Sequence, residues 1–106
     1  MSLDPNELYQ KLTMHGDDWA DKQAAYNILE DTKSAVLARL MLKSEATSVA
    51  AREVEAKASP EYQGHVETTQ AAMKDALKAK VRYEAIRTWI DLKRTESANE
   101  RALAKL

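Results

Sequence analysis

A chain of 106 residues with a net charge of −1, two glycines and two prolines is the size of one domain and has little with which to interrupt a helix. Its lack of cysteine excludes disulfides, thiolate metal sites and cysteine nucleophiles, and fits a reducing cytoplasm. No stretch approaches the ~20 apolar residues of a membrane span, and the start lacks the charged-then-apolar pattern of a signal peptide, so a cytoplasmic protein is expected.

Met1, Ser2 and Leu3 precede the first helix signal and read as a leader without functional weight. Asp4-Pro5-Asn6-Glu7 then supplies an N-cap aspartate, a proline at the first helical position and an acid placed for a capping box. A short helix is expected over about 5–15, ended by Gly16 as the residue past its C-terminus. Asp17 and Asp18 are expected to open a second helix over about 18–45, with a seam of Trp19, Tyr26, Leu29, Val36, Leu37 and Leu40. The apolar rhythm is lost at Glu45-Ala46-Thr47-Ser48, where Ser48 stands ready to cap 49–58, a short helix or a kinked continuation. Ser59-Pro60-Glu61-Tyr62 repeats the serine cap, proline and first-turn acid. From there a helix over 60–104 meets only Gly64, a weakness of about 1 kcal/mol, and makes a rod on the order of 65 Å long.

The first half of that rod carries a narrow seam of Tyr62, Val66, Thr69 and Met73, with Leu77 alongside. In the second half, Val81, Tyr83, Ala85, Ile86, Trp89, Ile90 and Leu92 spread over roughly 200° of the helical wheel, whereas one neighbouring helix covers about 100°. At least two partners are therefore needed. The expected fold is all-α: an extended antiparallel helical hairpin with a short N-terminal helix and a very long C-terminal helix. It forms one domain over 1–106 and is a homo-oligomer through Val81, Tyr83, Ile86, Trp89 and Ile90. A compact three- or four-helix bundle is the alternative.

Charge is distributed unevenly. Through Asp31, seven acids stand against Lys11 and Lys22, while the remainder holds fourteen bases against ten acids. Lys80, Arg87, Arg94 and Arg101 recur every seven residues, drifting about 20° per step, and so form a basic stripe. Lys78 and Arg82 add to it. Such a line of cations can track a phosphodiester backbone, with Tyr83 or Trp89 stacking on unpaired bases. The alternative is a solvated face in which Glu84 and Asp91 pair with the stripe at helical spacing, while Tyr83 and Trp89 anchor an interface.

Other polar residues point to little chemistry. His15 beside Gly16 suits the end of the first helix, and His65 is expected to face solvent. Asp17, Asp18 and Asp21 read as dipole complementation rather than a cation site. Met14, Met41 and Met73 read as core fillers. There is no phosphate loop, nucleophile elbow or paired histidine, so no enzyme, metal, cofactor or small-molecule substrate is expected.

The tracts Ser48-Val49-Ala50-Ala51-Arg52-Glu53, Ala58-Ser59-Pro60-Glu61-Tyr62 and Lys80-Val81-Arg82-Tyr83-Glu84-Ala85-Ile86-Arg87-Thr88-Trp89 resemble small helical proteins of proteobacterial phages and prophages, commonly encoded near replication and recombination functions. Ala76-Leu77-Lys78-Ala79-Lys80 and the aromatic after it are similar to the recombination mediator family of T-even phages. That family binds single-stranded DNA, forms ring-like oligomers and helps load a recombinase onto DNA coated by single-strand-binding protein. Less than half the chain is covered; it is shorter than the mediator, and 95–106 match nothing. The resemblance implies an accessory role in recombination or replication in a bacterial host cytoplasm, with Lys78, Lys80, Arg82 and Arg87 on the matching basic tract. Arg94 and Arg101 extend that tract by spacing. The competing expectation is a protein–protein interaction or assembly module that makes no nucleic-acid contact.

Overall fold

The computed structural model describes residues 4–106; Met1, Ser2 and Leu3, read above as a leader, lie outside the described residues. The chain is an all-α helical hairpin with a long C-terminal helix. Helix α1 spans Pro5–Lys43, α2 Val49–Ala58 and α3 Pro60–Ala104. Asp4 caps α1 as its sequence position requires: its carboxylate accepts the Asn6 N–H at 2.9 Å and its carbonyl accepts the Leu8 N–H at 3.1 Å.

Gly16 does not end a helix. α1 runs through it unbroken, and no described glycine has a positive φ. The reason lies in the seam. Leu8, Leu12, His15, Trp19, Lys22, Tyr26 and Leu29 are all partly shielded, and their spacing alternates between four and three with no slip at Gly16. A continuous heptad seam outweighs the ~1 kcal/mol that one interior glycine costs. Asp17, Asp18 and Asp21 are accordingly mid-helix residues rather than a helix start. His15 lies in the seam rather than at a helix end.

The chain packs as two units, one formed by residues up to Asp21 with Leu77–Leu106 and the other by Lys22–Ala76. In the second unit, Leu40, Ala56 and Tyr62 make the buried core, with Val36, Leu37, Met41 and Val66 packed against it. This bears out the expected seam at the end of α1. The short helix α2 completes this core with Ala56, and its ends are fixed by serines. Ser48 accepts the Ala51 N–H at 3.1 Å. Ser59 donates to the Ala56 carbonyl at 2.6 Å and accepts the Tyr62 N–H at 3.2 Å, closing α2 and opening α3 with one hydroxyl. In the connection, Ser44 donates to Glu55 at 2.9 Å and Arg52 to the Ala46 carbonyl at 2.8 Å.

Along α3, Tyr62, His65, Thr69, Ala72, Ala76, Ala79, Tyr83, Ile86 and Ile90 form a shielded run at alternating spacings of three and four, with Gly64 and Val66 also shielded near its start. Met73 and Leu77, placed on the seam by the sequence reading, are 41% and 53% exposed. Ala72, Ala76 and Ala79 occupy the shielded positions instead. His65 also differs from expectation: it is partly buried, with Nε2 2.9 Å from the Leu29 carbonyl of α1, so that nitrogen carries the proton and donates across the helix pair.

Candidate interaction face

In the first unit α1 and α3 run antiparallel, and a compact polar and aromatic knot joins them. The Trp19 and Tyr83 rings lie 5.5 Å apart at 39°, the Lys80 ammonium sits 5.9 Å over the Trp19 ring, and Arg82 meets Asp18 at 3.5 Å. The Tyr83 ring packs over Gly16, where an added Cβ would lie 3.4 Å from its edge. These contacts turn Tyr83 inward, and Ile86 and Ile90 share its face. Of the five expected interface residues, Tyr83, Ile86 and Ile90 therefore pack within the chain. Only Val81 and Trp89 lie on the open side.

That open side carries a second apolar stripe. Val81, Ala85, Thr88 and Leu92 follow one another at spacings of four, three and four, about 160° around the helix from the seam. Val81 is 64% exposed and Leu92 61%. Together with Glu84 and Trp89 they line a shallow depression. Trp89 sits at its margin and also reaches a cleft between α1 and α3 that holds Leu8, Leu12 and Ile90. The broad apolar arc of the sequence is thus two stripes, one covered by α1 and one open.

The six basic candidates do not form one surface. Lys80, Arg87, Arg94 and Arg101 flank the seam on one side, whereas Lys78 and Arg82 lie roughly 150° away around the helix. Arg82 is held by Asp18, Lys80 by the Trp19 ring, and Arg101 donates to the Ser97 carbonyl at 3.3 Å. Among the described residues Arg87 and Arg94 form no ion pair, and neither do Glu84 and Asp91, so no ladder of salt bridges runs along this stripe.

The charge asymmetry is consumed inside the first unit. Asp4 to Asp21 carries five acids against Lys11, and Leu77–Leu106 carries eight bases against four acids, so the two segments cancel. Among the described residues no three His, Asp or Glu side chains gather closely enough to hold a metal ion. Among the described residues no helix is long and apolar enough to cross a membrane.

No protein-family model, curated protein or solved structure matches this chain. The site must therefore be read from its own geometry. Sequence reasoning missed Ala85, Thr88 and Leu92 as a set apart from Tyr83, Ile86 and Ile90. The available signal was the seven-residue spacing Val81–Thr88 and Ala85–Leu92 beside Tyr83–Ile90.

Proposed function

We propose that this chain is a non-catalytic helical interaction module whose docking face is the outer stripe of α3. The observation that carries this reading is the exposure of Val81 and Leu92, 64% and 61%, on a helix whose opposite face is already covered. Helix-spaced apolar residues in the open suit another helix, whose side chains interlock at the same spacing. Replacing Val81 and Leu92 with glutamate tests it. In dilute solution an environment-sensitive apolar dye binds the wild-type stripe and not the Val81→Glu/Leu92→Glu variant, with helicity retained in both. Equal dye binding by both proteins removes the stripe as a docking face.

A second reading keeps the recombination role implied by the phage resemblance, in a bacterial cytoplasm, with single-stranded DNA, a recombinase or single-strand-binding protein as partner. It draws support from Arg87 and Arg94, exposed, in line and without ion pairs. The cancelled charge of the first unit weighs against it, because backbone binding draws on a local excess of cations. Titration of a labelled single-stranded oligonucleotide separates the two. Binding that falls steeply with salt, and is lost with Arg87→Ala/Arg94→Ala, replaces the protein-facing reading with this one.

A further inference from the structure

We infer that the first unit is a salt-sensitive latch: its two helix segments part and re-close together while the second unit stays folded, and their opposite net charges help to hold them shut. The inference concerns the inner faces of α1 and α3 and does not depend on the outer stripe being a docking face.

Burial divides unevenly between the units. Leu40, Ala56, Tyr62, Thr69 and Ala76 are buried in the second unit, whereas among the described residues the first holds only Ala79. The clustered core of Leu40, Ala56 and Tyr62 likewise lies wholly in the second unit. The free energy of a local opening rises with the apolar surface it exposes, so the first unit opens at the lower cost. Its large seam residues Leu8, Leu12, Trp19, Tyr83, Ile86 and Ile90 are only partly shielded. The indole N–H of Trp19 is buried without a hydrogen-bond acceptor among the described residues, and opening returns that donor to water.

Charge supplies part of what burial does not. From Asp4 to Asp21 acids outnumber bases by four, and from Leu77 to Leu106 bases outnumber acids by four. Asp18 meets Arg82 across the two segments at 3.5 Å with both side chains more than a third exposed, and Lys80 lies over the Trp19 ring. Attraction between exposed charges weakens as the screening length falls from about 30 Å at 0.01 M salt to about 3 Å at 1 M. Added salt therefore loosens the closed form. The second unit has a comparable exposed pair, Arg39 with Glu61 at 3.8 Å, but its buried cluster owes nothing to charge. Ionic strength thus sets how often the inner faces carrying Trp19, Tyr83, Ile86 and Ile90 are bare.

Amide hydrogen exchange of the full chain, read residue by residue by NMR, tests the latch. Stretches 8–19 and 79–90 of the first unit are compared with 29–40 and 62–69 of the second, which keeps the fraying chain ends out of the comparison. At low salt the first pair shows protection factors at least about tenfold below those of the second. Raising sodium chloride from about 20 mM to about 0.5 M lowers the first pair by a further factor of about three, while the second keeps its values within about twofold. Arg82→Glu sets a carboxylate against Asp18 while retaining a good helix former. It reproduces the loss of protection at low salt, with helicity by circular dichroism close to wild type. Equal protection in the two units, or protection that falls in step in both as salt rises, overturns the separate opening. Low protection in the first unit that neither salt nor Arg82→Glu alters overturns the part played by charge. Dye binding at Val81 and Leu92 is a separate readout, so failure of the latch and failure of the docking face are told apart.

Discussion

Gly16 and Tyr83 meet across the helix pair so closely that a Cβ built on Gly16 would lie 3.4 Å from Cε2 of the Tyr83 ring. That separation is ordinary van der Waals contact, and the backbone there is plain helix without a positive φ. The glycine is thus neither a turn nor a steric necessity for a methyl group. Gly16→Ala is expected to stabilise the protein by up to about 1 kcal/mol through helix propensity. Gly64, with nothing within 4 Å of its added Cβ, gains a similar amount on conversion to alanine. Each change raises Tm by roughly 5 °C in a domain of this size. Gly16→Leu instead drives a branched side chain into the Tyr83 ring and lowers Tm. Thermal unfolding followed by circular dichroism measures all three.

The same pair explains what the sequence conveyed and what it did not. Helix caps were legible because they depend on local chemistry: Asp4, Ser48 and Ser59 act where their side chains and the following proline or alanines place them. The end of α3 near Ala104 was legible too. Gly16 misled because a C-cap glycine and a tolerated interior glycine differ only in tertiary context, and the tie-breaker was the unbroken spacing Leu12-His15-Trp19. The seam of α3 was misplaced for a related reason. Ala72, Ala76 and Ala79 carry a weak hydrophobic signal, so larger neighbours such as Met73 and Leu77 drew the reading off the face that α1 covers. The basic residues appeared as one stripe because charge was counted along the chain, whereas Lys78 and Arg82 point away from Arg87 and Arg94. The acid-rich start of α1 neutralises α3 only once the chain folds back on itself.

Leu40 and Leu42 are two residues apart and make a direct test of where the core sits. Leu40 is 7% exposed and packs with Ala56 and Tyr62; Leu42 is 82% exposed. Leu40→Ala removes buried methylenes and leaves a cavity among three helices, at an expected cost of about 2–4 kcal/mol. Leu42→Ala falls within about 0.5 kcal/mol of wild type. Urea unfolding followed by helicity separates them, and equal midpoints for the two variants contradict the packing described for the second unit.

Ser59 differs from Ser48 in holding two helix ends at once. Ser48 only accepts, from Ala51 N–H, whereas Ser59 both donates to the Ala56 carbonyl and accepts from Tyr62 N–H. Ser48→Ala is expected to cost about 1 kcal/mol, the usual value of an N-cap. Ser59→Ala costs more, about 1–2 kcal/mol, because the Ala56 carbonyl also loses its hydroxyl donor beside a buried residue. Amide hydrogen exchange locates the damage: protection falls at both the end of α2 and the start of α3 in Ser59→Ala, and only at the start of α2 in Ser48→Ala.

The structure raises the pKa of Lys57. Its ammonium meets Glu53 at 2.8 Å, one helical turn earlier, and that hydrogen bond first, then the carboxylate's charge, raises its pKa above the ordinary 10.5. A lysine whose folded pKa exceeds its unfolded value stabilises the fold fully below the unfolded value, and that contribution is lost as pH rises through the folded one. The window is therefore alkaline, beginning near 10.5, and stability at neutral pH does not respond to this group. Both side chains are about half exposed, so the pair is screened and its share of stability is small. The decisive measurement is site-specific. NMR titration of the Lys57 side chain shows a raised midpoint in the wild type that moves down toward the ordinary lysine value in Glu53→Gln. An unchanged Lys57 midpoint in that variant contradicts the assignment of the shift to Glu53.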